Sequence, residues 1–204
     1  MTERDGLERR RLLGALGVGM AAGIGGCLGD SGSKGDENDE NDNSGAQVYE
    51  PTMEIEFEDG GPFSFDDGER CAVCGMPAKE HSGTGQLVHE NGLAAVFDSP
   101  GCLFAYTVSS TPDSPIAAAW TTDYGTRDLI DATAAHFVLI TDEDAADDLM
   151  GIDPRPYAER EDAVSFLEEW EAEDLTPEED IIVGLEDVDL EIAEIYRGRK
   201  LPDE

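Results

Sequence analysis

Lysine is almost missing from this chain, with three residues in 204, and arginine raises the basic total only to 13 against 48 acidic side chains. A net charge of −35 leaves no basic patch to meet phosphates, so nucleic acid is excluded as a partner. Cysteine is scarce as well: four residues are too few for a disulfide scaffold. Long apolar runs are lacking. The best candidate, Leu12 to Ile24, is glycine-rich and falls short of the roughly 20 residues a spanning helix needs. There is no nucleophile–base pair, no glycine-rich phosphate loop and no triad, which points to a protein that is not an enzyme.

The first segment, residues 1–27, is expected to be an export signal. Arg9-Arg10-Arg11 precede Leu12-Leu13 and a short glycine-rich apolar stretch, as in the twin-arginine route. Ile24-Gly25-Gly26-Cys27 has the small residues of a lipobox, which makes Cys27 the lipid-attachment residue of a membrane-anchored lipoprotein. Residues 28–47 are expected to form a disordered acidic linker. Asp36-Glu37-Asn38-Asp39-Glu40-Asn41-Asp42 at its centre has like-sign charge and no apolar surface to bury. Acidic residues then continue through a body that keeps its Phe, Trp, Tyr, Val and Ile at strand and helix spacing. That combination fits a halophilic surface, whose self-repulsion molar salt screens.

The body divides into two expected units, 48–125 and 126–204. Gln86–His89 and Gly92–Phe97 are predicted strands joined by the Glu90-Asn91-Gly92 turn, an Asn-Gly hairpin signal. Asp98-Ser99-Pro100 has the chemistry of a helix start, with a capping side chain before proline, so Gly101–Ser109 is predicted as a short buried helix. Ala117–Thr122 is a third strand. The pattern returns in His136–Thr141 as a strand and in an apolar stripe at Ala163, Phe166, Leu167 and Trp170 as a helix. Ile181–Val183 follows as a strand and Val188–Arg199 as a closing helix. The predicted fold class is α+β, with two small ββαβ-type units in tandem.

Three of the sulfur side chains fall within six residues, Cys71-Ala72-Val73-Cys74-Gly75-Met76. A CxxC pair serves redox exchange, a disulfide, zinc or Cu(I). A redox pair wants its first cysteine at a helix N-terminus, yet no clear strand leads into Cys71 and Pro77 follows closely. Zinc wants four ligands, for which Cys71, Cys74, Cys102 and either His81 or His89 are candidates. Cu(I) favours soft donors, and a thioether two residues after a thiolate is a ligand zinc rarely uses. If the segment is extended, alternation turns Cys74 and Met76 to the same side. Cys71 is a candidate third ligand or a disulfide partner, and His81 and Met150 are further candidates. His89 and His136 sit in strands, where packing is the ordinary role, and Cys102 on an apolar helix behaves by default as a buried thiol.

These segments resemble the NosL family of nitrous-oxide reductase accessory lipoproteins. The resemblance rests on Cys71-Ala72-Val73-Cys74-Gly75-Met76-Pro77 followed by Phe97-Asp98-Ser99-Pro100-Gly101-Cys102-Leu103-Phe104-Ala105-Tyr106. Trp120-Thr121-Thr122-Asp123-Tyr124, Leu129-Ile130-Asp131-Ala132 and Met150-Gly151 continue it in order, from about Glu69 to Val183. It implies a Cu(I)-binding metallochaperone anchored on the outer, extracytoplasmic face of the membrane. Its partners would be nitrous-oxide reductase, an enzyme of denitrification, and the membrane complex that assembles that enzyme's copper centre. The implied copper ligands are Cys74 and Met76. The alternatives are a thiol–disulfide redox protein using Cys71 and Cys74, or a zinc-stabilised binding module.

Overall fold

The computed structural model describes residues 48–57, 60–80, 83–146, 151–170 and 181–201. The signal and the acidic linker lie outside the described residues, as do Cys27, His81 and Met150. Everything described belongs to one compact unit, Asn43–Glu204.

Short apolar runs, buried on both faces, and the Asn-Gly turn give the first hairpin. Strands β2 (Gly85–His89) and β3 (Leu93–Phe97) pair antiparallel, with Leu87 opposite Ala95 and Val88 opposite Ala94. Strand β1 (Met53–Glu54) borders β3, and β4 (Ile116–Thr122) pairs with β2. Strand β5 (Leu129–Asp131) closes a five-stranded antiparallel sheet of order β1-β3-β2-β4-β5. Between β3 and β4 runs helix α1 (Pro100–Ser109). The second sheet, order β7-β6-β8, joins β6 (His136–Val138), β7 (Arg155–Tyr157) and β8 (Ile182–Val183). Helix α2 (Glu143–Ala146) precedes β7, α3 (Arg160–Glu169) follows it, and α4 (Leu190–Arg197) closes the chain after β8. Both sheets therefore arise from a strand–strand–helix–strand order with the first strand in the middle, the α+β arrangement expected from the sequence.

Strand β7 escaped the sequence reading because Arg155-Pro156-Tyr157 lacks β-branched residues; the edge position accommodates its proline. The predicted strand at His136–Thr141 is regular only as far as Val138; beyond it the Leu139 N–H still donates to the Ile181 carbonyl at 2.9 Å, and Leu139-Ile140 is buried as irregular chain.

Helix α1 is apolar on every side, and it is buried on every side. Cys102, Leu103, Phe104, Ala105 and Tyr106 have no exposed surface. Tyr106 meets Phe97 of β3 at 5.2 Å between ring centroids, while Phe104 meets Phe137 of β6 at 4.9 Å and Tyr196 of α4 at 6.0 Å. One helix thus ties the first sheet to the second sheet and to the last helix. His89 is packed as expected, its ring nitrogens facing the Ser114 carbonyl and the Tyr106 hydroxyl. Among the described residues no helix is long and apolar enough to cross a membrane.

The contact between α1 and α4 depends on the absence of a side chain at Gly101. A Cβ there would lie 2.5 Å from Asp153 Oδ1, 3.0 Å from Tyr196 Cβ and 3.1 Å from Arg197 Cζ. Gly101→Ala is expected to cost about 1–3 kcal/mol by overpacking, read as a lower denaturant midpoint with an unchanged slope.

A candidate metal centre of three thiols and a carboxylate

The Cys71–Met76 segment is a closed loop on a two-residue stem. Arg70 bridges Pro77 antiparallel, and Ala78 N–H donates to the Glu69 carbonyl at 2.9 Å. Inside the loop, Cys71 N–H donates to the Met76 carbonyl at 2.8 Å and Gly75 N–H donates to the Cys71 carbonyl at 3.0 Å. Gly75 has φ +73°, the left-handed region that suits glycine. This corrects the extended segment from which Cys74 and Met76 were expected to face the same way: the chain turns between them. The Ala72 N–H bond to the Val96 carbonyl, 3.0 Å, fastens the loop to the end of β3.

That attachment sets the loop beside the β3–α1 junction. Cys102 occupies the third position of α1, in the turn where the helix dipole favours negative charge. Asp98 lies two residues before the helix. The sulfurs of Cys71, Cys74 and Cys102 and a carboxylate oxygen of Asp98 all lie within 4.8 Å of one another. Metal–sulfur bonds of about 2.3 Å put tetrahedral sulfurs about 3.8 Å apart, so small side-chain adjustments would close this set on one ion. All three cysteines are free thiols. Cys71, Cys102 and Asp98 are buried, and Cys74 is half-buried, giving the cluster a way out to solvent.

The helix start expected at Asp98-Ser99-Pro100 is present: Ser99 holds the cap position, though its side chain makes no capping bond, and Pro100 is the first helical residue. The Asp98 side chain turns inward, where it has no exposed surface and neither oxygen has a hydrogen-bond partner. A buried carboxylate without partners is costly, and a cation or a proton among the thiols relieves that cost.

The thiols hydrogen-bond one another, and the network governs their acidity. For Cys71 the bond with Cys102 favours the thiolate, but the bond with Cys74, burial and the Asp98 charge outweigh it and push the thiol up to about 12. For Cys74 the bond with Cys102 raises it, the bond with Cys71 opposes, and burial carries it up to about 12. Cys102 is raised as well, through its bond with Cys71 and its burial, against a bond with Cys74 and the Arg197 charge. The metal-free site is therefore a store of thiols rather than a reactive thiolate.

Of the residues singled out from the sequence, Cys71 and Cys74 are brought together, and Met76 sits half-buried on the same loop. Cys102 joins them rather than standing apart as a core thiol, and Asp98 was missed as a site residue. The signal available for both was their four-residue spacing across a helix start, Asp98-Ser99-Pro100-Gly101-Cys102, in a chain with so few cysteines.

An α+β domain that gathers three free thiols and an unpartnered carboxylate is, by class, a candidate metal-binding protein. The sequence model of the NosL family matches residues 62–181, more than half of the chain, and the protein belongs to that family. A crystal structure of the copper chaperone NosL from Shewanella denitrificans is similar, with a TM-score of 0.49 and 17% sequence identity, covering 64% of this chain and 97% of that one. No curated protein matches the chain.

Proposed function

We propose that this protein is a copper chaperone that binds Cu(I) and hands it on during assembly of the nitrous-oxide reductase copper centre. The observation that carries the reading is the convergence of Cys71, Cys74 and Cys102 within 4.8 Å, with one of the three reaching toward solvent. Thiolates are soft donors suited to Cu(I), and the thioether of Met76 on the same loop adds a soft uncharged one. Membership of the NosL family supports the partner. The twin-arginine leader and Cys27 support an extracytoplasmic place, with a lipid anchor on the outer face of the membrane. The acidic excess supports a salt-adapted cell. Transfer would proceed by ligand exchange: a partner's sulfur enters on the Cys74 side while the buried sulfurs still hold the ion.

The redox alternative asks for an acidic, accessible thiolate. Here both members of the CxxC pair are pushed up to about 12, and the pair sits in a turn rather than at a helix N-terminus. The deciding experiment is Cu(I) titration of the reduced chain in high salt against a competing chelator, with metal content measured first. One Cu(I) per chain, held tightly, supports the chaperone. Stoichiometric zinc on purification, with unfolding on chelation, would make it a zinc-stabilised module instead.

A further inference from the structure

The last helix reaches into the thiol cluster. Arg197, at the C-terminus of α4, has a side chain only 3% exposed, and its Nε–H donates to Cys102 Sγ at 3.2 Å. The rest of the guanidinium is held rigidly. One Nη donates to Asp153 Oδ1 and to Ser99 Oγ, both at 2.7 Å; the other donates to the Tyr196 carbonyl at 2.7 Å and the Ile152 carbonyl at 3.4 Å. Asp153 Oδ1 also accepts from the Gly101 N–H at 2.9 Å, so the carboxylate clamps the first turn of α1 and Arg197 together. Gly101, which no side chain could replace without a clash, lets the guanidinium come this close to Cys102.

Stability alone gives no reason to aim this cation at a sulfur. An Arg–Asp pair needs only its partner, yet here the planar fork is turned so that its third nitrogen, Nε–H, meets the thiol nearest the helix N-terminus. Three thiolates around a monovalent ion would leave a buried double negative charge, which is costly without a nearby cation. Burial disfavours the charged guanidinium, but Asp153 and Cys102 outweigh it and keep Arg197 protonated.

We infer that Arg197 is a positioning residue of the metal site, acting through Cys102: its Nε–H stays bonded to the sulfur when that sulfur binds the ion, offsetting thiolate charge and aiming the lone pair toward Cys71 and Cys74. This rests on the metal-carrier reading. The consequence is chemical. An N–H···S bond takes up part of the thiolate's charge, so the loaded site carries its buried negative charge at lower cost and holds the ion more tightly with the bond than without it. Helix α4 lies beyond residue 181, where the family match ends, so this group is read from the structure of this chain.

Two measurements test the inference. In the full reduced chain, labelled with 15N and loaded with 113Cd(II) as a thiophilic NMR-active ion, a scalar coupling is expected between cadmium and the Arg197 Hε proton across the N–H···S bond. It should vanish in Cys102→Ala. In parallel, Cu(I) affinity is expected to fall about 10–100-fold in Arg197→Met and to be poorly rescued by Arg197→Lys, because an ammonium cannot reproduce the fork. Cadmium bound without coupling to Arg197 overturns the inference whatever the affinities are, and so does a chain that takes up no cadmium. If Arg197→Met does not fold, the coupling in the unaltered chain still decides. A coupling seen with cadmium while Cu(I) is ignored would sink the copper reading and leave the role of Arg197 standing.

Discussion

Cys74→Ser is expected to lower the affinity for Cu(I) by about a hundredfold or more, while thermal stability of the metal-free protein moves little. Loss of an outer partner of a metal ligand typically costs 10–100-fold, and loss of a ligand sulfur costs at least as much. Serine keeps the size and removes the soft donor, since a hydroxyl is neither acidic enough nor polarisable enough to hold Cu(I). Cys74 is half-buried, so little packing is lost with it, and the defect should be confined to metal uptake. Met76→Leu should weaken binding by less. If it changes nothing, while Cys71→Ser abolishes activity, the redox alternative gains. Proton competition adds a pH signature. Thiols pushed up to about 12 are protonated at neutral pH, so uptake releases protons, and apparent affinity should rise about tenfold per pH unit for each thiol displaced. Chelator competition at pH 6, 7 and 8 reads this slope. In the metal-free protein the same shifts act on stability. The folded-state values lie above the ordinary value of 9.0, so the contribution is complete below pH 9 and is lost as pH climbs from there toward 12.

The second large effect is expected at Asp153. Asp153→Ala leaves the Arg197 guanidinium buried without its counter-charge and strips the acceptor from the Gly101 N–H. Removing one partner of a buried pair costs about 3–5 kcal/mol. In a domain of this size that corresponds to a fall in Tm of roughly 6–20 °C. The two side chains are 3% and 4% exposed, so molar salt should not rescue the variant, unlike variants of the exposed Lys79–Asp67 pair. A double replacement, Asp153→Leu with Arg197→Met, should be less damaging than Asp153→Ala alone, because it leaves no unpaired charge in the core. Thermal melts of the three proteins in high salt make the comparison. A double variant that melts below Asp153→Ala would mean the network stabilises through its hydrogen bonds rather than its charge balance.

What could be read from the chain by itself was whatever neighbours in sequence decide together. The Asn91-Gly92 turn sets the β2–β3 hairpin, Pro100 after Ser99 starts α1, and an apolar run through Tyr106 marks that helix as buried, because turn geometry, capping and hydrophobicity are local properties. Cys71, Cys74 and Met76 were legible as a soft-donor motif for the same reason. Their arrangement was not, since the turn at Gly75 depends on the stem bonds to Glu69 and Pro77 and on the anchor to Val96. Only the tertiary structure turned the Asp98 carboxylate inward, added Cys102 to the loop thiols, and brought Arg197 and Asp153 to Cys102 from far along the chain. Those choices are settled by burial and close packing around α1, where a long-range contact such as Gly101 against α4 fixes which polar groups must satisfy one another, and no short-range pattern encodes that partner.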